Sequence, residues 1–124
     1  MKGNFVLLRA GQLRLVVPQD DMGVARYIDA GEGDDCFALS DTMKLLPHRP
    51  PGRFIAAEFN GEHAGAPWCW DELRVLIDVE LHAIPVPRAL VSGNTPVKAY
   101  VEVDGELAFL CDAASLCGYA LAEA

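Results

Sequence analysis

The chain has 124 residues, 52% hydrophobic and 23% charged. That is enough for one globular domain with a real core, and too apolar for a disordered chain. Ten basic against eighteen acidic residues give a formal charge of −8, which argues against a nucleic-acid binder and against docking on anionic lipid, since both need a basic face. The acidic excess is uneven. Residues 1–52 carry six basic and seven acidic side chains, residues 53–124 four and eleven, and Asp29, Glu32, Asp34, Asp35 and Asp41 crowd one stretch without a Lys or Arg. Such a surface is either a solvated face or one that meets a cation or a basic protein.

In chain order, Asn4–Arg9 and Leu13–Val17 are β-rich runs around Ala10-Gly11-Gln12, predicting a hairpin closed by Pro18. Asp20 or Asp21 would then cap a short helix carrying Met22, Ala25, Tyr27 and Ile28. Asp29–Asp35 is Gly- and Asp-rich and reads as a loop, and Cys36–Leu39 as a buried strand. Ser40-Asp41 offers an N-cap to one helical turn with Met43, Leu45 and Leu46, before His48–Gly52 breaks the chain. Arg53–Phe59 and His63–Trp70 flank Asn60-Gly61-Glu62, the strongest turn signal in the chain. Asp71-Glu72 opens a short helix or an extended segment to Ile77, and Val79–Ile84 alternates as an edge or exit ahead of Pro85 and Pro87. Val97–Val103 and Glu106–Cys111 form a hairpin about Asp104-Gly105; Asp112 then caps a final turn, Ala113–Leu116, stopped by Gly118.

Long amphipathic helices are absent, so the expected class is mostly β, as small barrels or a sandwich with single-turn helices. Phe37–Leu45 and Ala108–Leu116 align at an offset of 71, each a strand, an Asp and a turn ending on Leu; the hairpin starts align at an offset of 49. This echo predicts a single domain over 1–124 made of two pseudo-duplicated lobes, residues 4–46 and 53–117, with Leu39/Leu45 and Leu110/Leu116 in equivalent core positions.

No run approaches the ~18 apolar residues of a membrane span. The N-terminus does not read as a signal peptide, and the four cysteines form no CxxC pair. They are expected as reduced, buried thiols in a cytoplasmic protein.

No serine-hydrolase elbow, phosphate loop or dinucleotide fingerprint is present. His63, Cys69 and His82 as zinc ligands match no standard spacing, and Asp29, Glu32, Asp34 and Asp35 lack the order of a calcium loop. No metal, cofactor or catalytic group is expected, although a small metal- or thiol-dependent enzyme built on His63, Cys69 and His82 is the rival reading. Trp68 and Trp70 fall on one face of a period-2 strand with Cys69 on the other. They are either core or an aromatic anchor at a protein interface.

The order of these motifs resembles the chemotaxis coupling-protein family, the CheW-like domain. Asn4–Pro18 is similar to that family's opening strand pair, Phe37–Leu46 (FALSDTMKLL) to its "P-V-x-D-L-x-x-L-L" stretch, and Arg53–Gly65 (RFIAAEFNGEHAG) to its "R-x-I-V-x-x-x-x-G-x-x-x-G" pair. Ile84-Pro85-Val86-Pro87 is similar to "I-x-P-x-P", one residue shorter, and Lys98–Leu116 (KAYVEVDGELAFLCDAASL) is close to the closing "G-x-x-x-x-D-G-x-L-x-x-L-L-D-x-x-x-L". The resemblance implies two small SH3-like five-stranded barrels packed together. It implies a non-enzymatic bacterial adaptor whose partners are a histidine kinase regulatory domain and a chemoreceptor signalling tip, with no nucleic acid and no membrane insertion. A stand-alone module with a private partner is the alternative. Where relatives carry a "G-x-x-N-x-R-G" segment beside the docking groove, this chain has Asp29–Asp35 (DAGEGDD). Glu32, Asp34 and Asp35 therefore reverse the local field there and, with Trp68 and Trp70, are the predicted partner-binding residues.

Overall fold

The structure, a computed structural model, describes residues 1–29, 36–61, 67–86 and 96–121. It is mostly β, as the turn spacing predicts. The described elements run β1 (Lys2–Ala10), β2 (Leu13–Pro18), a 3-10 turn (Gln19–Asp21), β3 (Met22–Tyr27), β4 (Ile55–Phe59), β5 (Pro67–Trp70), β6 (Glu72–Glu80), β7 (Ile84–Pro85), β8 (Ala99–Val103), β9 (Glu106–Leu110) and one helix, α1 (Ala113–Leu121). Six strands form one sheet in the order β6-β1-β2-β9-β8-β7, and three form another, β3-β4-β5. Among the described residues neither sheet closes on itself.

Turn chemistry sets the registers. Gly11 (φ 62°) makes the two-residue link that pairs Ala10 with Leu13 and Leu8 with Leu15. Asp104 (φ 55°) and Gly105 (φ 79°) form the two-residue link of β8–β9, both residues in the left-handed region that such a turn demands. Strands β1 and β2 are buried on both faces. Val6, Leu8, Leu15 and Val17 face the main core with Phe59, Trp68, Trp70 and Leu116, while Phe5, Leu7 and Val16 face a second cluster with Val101, Val103 and Ala108. Two-sided burial is why FVLL and LVV read as unbroken apolar runs rather than alternating ones. A third cluster, Ile28, Cys36, Ala38, Ala56 and Cys69, fills the outer side of the small sheet.

Three local expectations are corrected. Met22–Tyr27 is a strand, not a helix. Asn60 decides this: its side-chain amide donates to the carbonyls of Asp20 (2.9 Å) and Met22 (2.8 Å), and its backbone N–H to that of Asp21 (2.8 Å). Those are the acceptors a first helical turn would have needed, and Gly23 and Val24 are weak helix formers in any case. The Ser40 segment is a tight turn. Ser40 Oγ accepts the N–H groups of Thr42 and Lys44 as an N-cap would, but the Ser40 N–H donates to the Lys44 carbonyl and that of Leu46 to the Ala38 carbonyl, so the chain folds back on itself. Leu39 then bridges Leu45, with Met43 buried at φ 64°. The echo with Ala108–Leu116 thus parts at the Asp. Leu39 and Leu116 are fully buried, whereas Leu45 and Leu110 are half-buried.

The helix starts where expected and ends later. Asp112 Oδ1 accepts the Ser115 N–H (2.7 Å) and Asp21 Oδ2 that of Ala113 (3.0 Å), so two carboxylates satisfy free donors at its N-terminus. It continues through Gly118 to Leu121 because Leu116, Cys117 and Ala120 are buried in the main core. That burial outweighs the roughly 1 kcal/mol penalty of an internal glycine.

Two predictions follow from these constraints. At Gly11 an added Cβ would collide with Asp41 Oδ1 with the backbone already at φ 62°, so Gly11→Ala should lower unfolding free energy by about 1–3 kcal/mol in a urea titration. Burial pushes the Asp112 carboxyl up, but the Lys98 ammonium and the Ser115 N–H outweigh it and hold the group below its ordinary 3.8. A depressed folded value stabilises above the unfolded value and is lost as pH falls through the folded one. The stability gap between the protein and Asp112→Asn should therefore be constant above about pH 5 and close below about pH 4.

Candidate functional site

The polar centre of the molecule is the buried charged side chain of Arg53, 4% exposed. Its Nη1 donates to the Leu39 carbonyl (2.7 Å), and its Nε lies 3.3 Å from Asp71 Oδ2. That same oxygen accepts the Gly11 N–H at 2.6 Å, and Asp41 Oδ1 accepts the Gln12 N–H at 3.1 Å. Asp41 therefore holds the β1–β2 turn and not a helix. These contacts tie the β1–β2 turn, the Leu39 segment and Asp71 together and fix Asp41, which lines one hollow of the surface.

One hollow, about 210 Å³, lies between the Ser40 turn and the β8–β9–α1 unit. Asp41, Thr42 and Met43 form one wall, Tyr100, Phe109 and Tyr119 the other. Tyr100 and Phe109 are cross-strand partners with ring centroids 5.5 Å apart, and the Lys44 ammonium sits 4.2 Å from the centre of the Tyr119 ring. Sequence reasoning missed this wall. The signal was present, because a two-residue Asp104-Gly105 turn already places Tyr100 opposite Phe109.

The other hollow, about 160 Å³, is lined by Ala25, Arg26 and Tyr27 of β3, Ile55 of β4 and Leu73 of β6. Around it the surface is apolar: Val24 and Tyr27 are 67% and 83% exposed, and Val75 and Ile77, on the Leu73 face of β6, 46% and 58%.

Of the predicted partner-binding residues, Glu32, Asp34 and Asp35 lie outside the described residues. Trp68 and Trp70 are both 0% exposed and pack with Phe59, so they are core and not an exposed anchor. The physical reason is register. β5 pairs with β4 so that Trp68 faces Ala57 and Trp70 faces Ile55, which turns both indoles into the space between the sheets. Cys69 points the other way, as alternation requires.

The rival zinc triad is not gathered: His82 is exposed, Cys69 is buried beside Cys36, and His63 lies outside the described residues. Among the described residues no three His, Cys, Asp or Glu side chains come together to hold a metal. All four cysteines are free and buried. Burial raises the Cys69 thiol despite the opposing Arg53 guanidinium, and pushes Cys117 up to about 11 and Cys111 up to about 12. A thiolate nucleophile is disfavoured at each of these three.

An aromatic-disulfide thiol reagent at pH 8 should accordingly find almost no reactive cysteine in the native protein and four after denaturation. Rapid native labelling of Cys111 or Cys117 would contradict this burial.

Compared with known proteins, the chain matches no protein-family model and no curated protein.

Proposed function

We propose that this protein is a non-enzymatic, CheW-like adaptor of bacterial chemosensory signalling, working in the cytoplasm and coupling a receptor signalling tip to the regulatory domain of a histidine kinase. The observation that carries the reading is the aromatic cleft of Tyr100, Phe109 and Tyr119 facing Asp41, Thr42 and Met43. Half-exposed aromatic rings framed by a polar rim are what protein interfaces use as anchors. Asp41, Thr42 and Met43 on one wall and Phe109 on the other belong to the two segments that echo one another in the sequence, which is where a pair of packed lobes would leave a groove.

Element order supports the same reading. The chain passes from the large sheet to the small one through the 3-10 turn Gln19–Asp21, and returns through the bend at Asp71. In this reading β1 to β6 form a first SH3-like lobe around Trp68 and Trp70, so the lobes would divide after β6 and not between residues 46 and 53 as the sequence echo predicts. β7, β8, β9 and α1 form a second, joined to the first through the parallel β2–β9 contact at Leu15/Phe109. An adaptor needs rigidity and two faces rather than reacting groups. The buried network around Arg53 supplies the first, and two hollows built from different elements supply the second.

The test is direct binding of the purified protein to the regulatory domain of a chemosensory kinase and to a receptor-tip fragment, both from the same genome, by titration calorimetry. At least one should bind. Thr42→Arg, an exposed change on the cleft rim, should weaken that binding at least tenfold, about 1.4 kcal/mol, without moving the melting temperature. Binding to neither partner, or unchanged affinity for both in the variant, overturns the proposal.

A further inference from the structure

The second hollow is bounded by a strand edge. β3 is terminal in its sheet, and among the described residues no strand pairs with its outer side. The Ile28 N–H donates to the Phe54 carbonyl at 2.8 Å. Antiparallel ladders alternate between pairs that exchange hydrogen bonds and pairs that do not. With Tyr27 opposite Ile55 and Ala25 opposite Ala57, Ile28 and Arg26 turn their backbone groups toward β4. Ala25 and Tyr27 turn theirs to the open side. The register shift between Met22 and Ala25 confines this open ladder to the stretch from Ala25 onward.

Natural edges are blunted by proline, lysine or inward-pointing charge. β3 has no proline and no lysine; its exposed residues are Val24, Ala25, Arg26 and Tyr27, so Arg26 is its one charge. Beside its open ladder lies the hollow formed by Ala25, Arg26, Tyr27, Ile55 and Leu73, largely apolar and with room for one apolar side chain. Exposed Asp20 and Asp29 bracket the strand. A row of backbone donors and acceptors is matched only by another extended backbone, an apolar hollow beside it by an apolar side chain, and acids at both ends by cationic flanks. A second copy of this chain is a poor occupant, since two bodies of charge −8 repel.

We infer that β3 is a docking edge that binds, by strand addition, an extended segment of a partner protein with alternating apolar residues between lysine- or arginine-rich ends. Ala25 and Tyr27 supply the backbone hydrogen bonds, and the Ile55–Leu73 hollow takes one side chain of the segment. The inference goes beyond the adaptor reading and does not require it, because the cleft of Tyr100 and the edge of β3 share no lining residue.

The probe is a capped nine-residue peptide, Lys-Lys-Val-Ser-Val-Ser-Val-Lys-Lys, titrated into the intact protein. Comparison peptides carry glutamate at the flanks, or N-methyl groups on alternate backbone amides in either of the two possible patterns. Amide hydrogen exchange at Ala25 and Tyr27 should slow at least tenfold at saturation. The glutamate-flanked peptide should bind at least fivefold more weakly at low salt. One methylation pattern should abolish binding and the other leave it within twofold, a comparison that alters no residue of the protein and so cannot be confused with misfolding. Ala25→Pro, which removes an outward N–H where an edge strand tolerates proline, should lose the peptide while keeping its melting temperature within a few degrees. The idea is overturned if Ala25 and Tyr27 gain no protection, if both methylation patterns bind alike, or if the glutamate-flanked peptide binds equally well. No kinase or receptor enters the assay, so its failure leaves the adaptor proposal standing, and the reverse holds as well.

Discussion

One guanidinium holds four stretches of chain in place. Arg53 reaches the carbonyl of Leu39 and the carboxylate of Asp71, and Asp71 in turn grips the backbone of Gly11 while its own N–H donates to Arg9. The β1–β2 turn, the strand-like segment at Leu39, the entry to β4 and the bend between β5 and β6 therefore meet at a single buried charge. Taking that charge out of water is costly, and the Asp71 carboxylate and the Leu39 carbonyl offset that cost. Stranding one member of such a pair typically costs about 3–5 kcal/mol, so the network constrains geometry far more than its net contribution to stability suggests. It fixes where Asp41 stands, and with it the wall of the aromatic cleft that Thr42 and Met43 complete.

Around this point the apolar core is organised by two indoles. Trp68 and Trp70 sit between the sheets with Phe59 in tilted and edge-on contact, and among the described residues their N–H groups meet no acceptor. An unsatisfied buried donor costs about 1–3 kcal/mol, a cost offset by the large apolar area each ring removes from water. The same burial leaves the surface to smaller features: an aromatic cleft on one side of the chain's fold-back and a bare strand edge elsewhere. An adaptor assembled this way would present its partners with shape and backbone rather than with exposed tryptophans.

Much of this was legible in the residues. Gly11 and Asp104-Gly105 announced two hairpin turns because few residue types tolerate positive φ, while the link expected after Asn60-Gly61 runs into residues outside the described ones. Asp112 announced the helix start because a carboxylate there captures a free N–H. The alternation of Trp68, Cys69 and Trp70 announced their opposite faces. What stayed hidden was decided by groups far away in sequence. Met22–Tyr27 looked helical until Asn60, some forty residues on, claimed its leading carbonyls. The Ser40 turn had the hydroxyl of a cap, but the Lys44 and Ala38 carbonyls turned the chain back. The burial of Arg53 has no local signature, since a lone arginine before a strand reads as surface until Asp71 and Leu39 are brought to it. The aromatic wall could have been read from the Asp104-Gly105 register, and the open edge of β3 could not, because a strand mistaken for a helix has no edge.

The parallel contact between β2 and β9 has a consequence for how the molecule is made. Leu15 lies beside Phe109, and the Cys111 N–H donates to the Val16 carbonyl; the Ala113 N–H likewise needs Asp21. These pairings span some ninety residues, and loops of that length close slowly compared with neighbouring hairpins. As the polypeptide leaves the ribosome, the β1–β2 hairpin can form early, but one side of β2 stays unpaired until β9 has been synthesised. For most of its synthesis the chain thus carries an apolar strand with an open edge, the kind of surface that invites aggregation and that chaperones recognise. Its assembly is limited less by the stability of any one element than by the wait for β9 and α1.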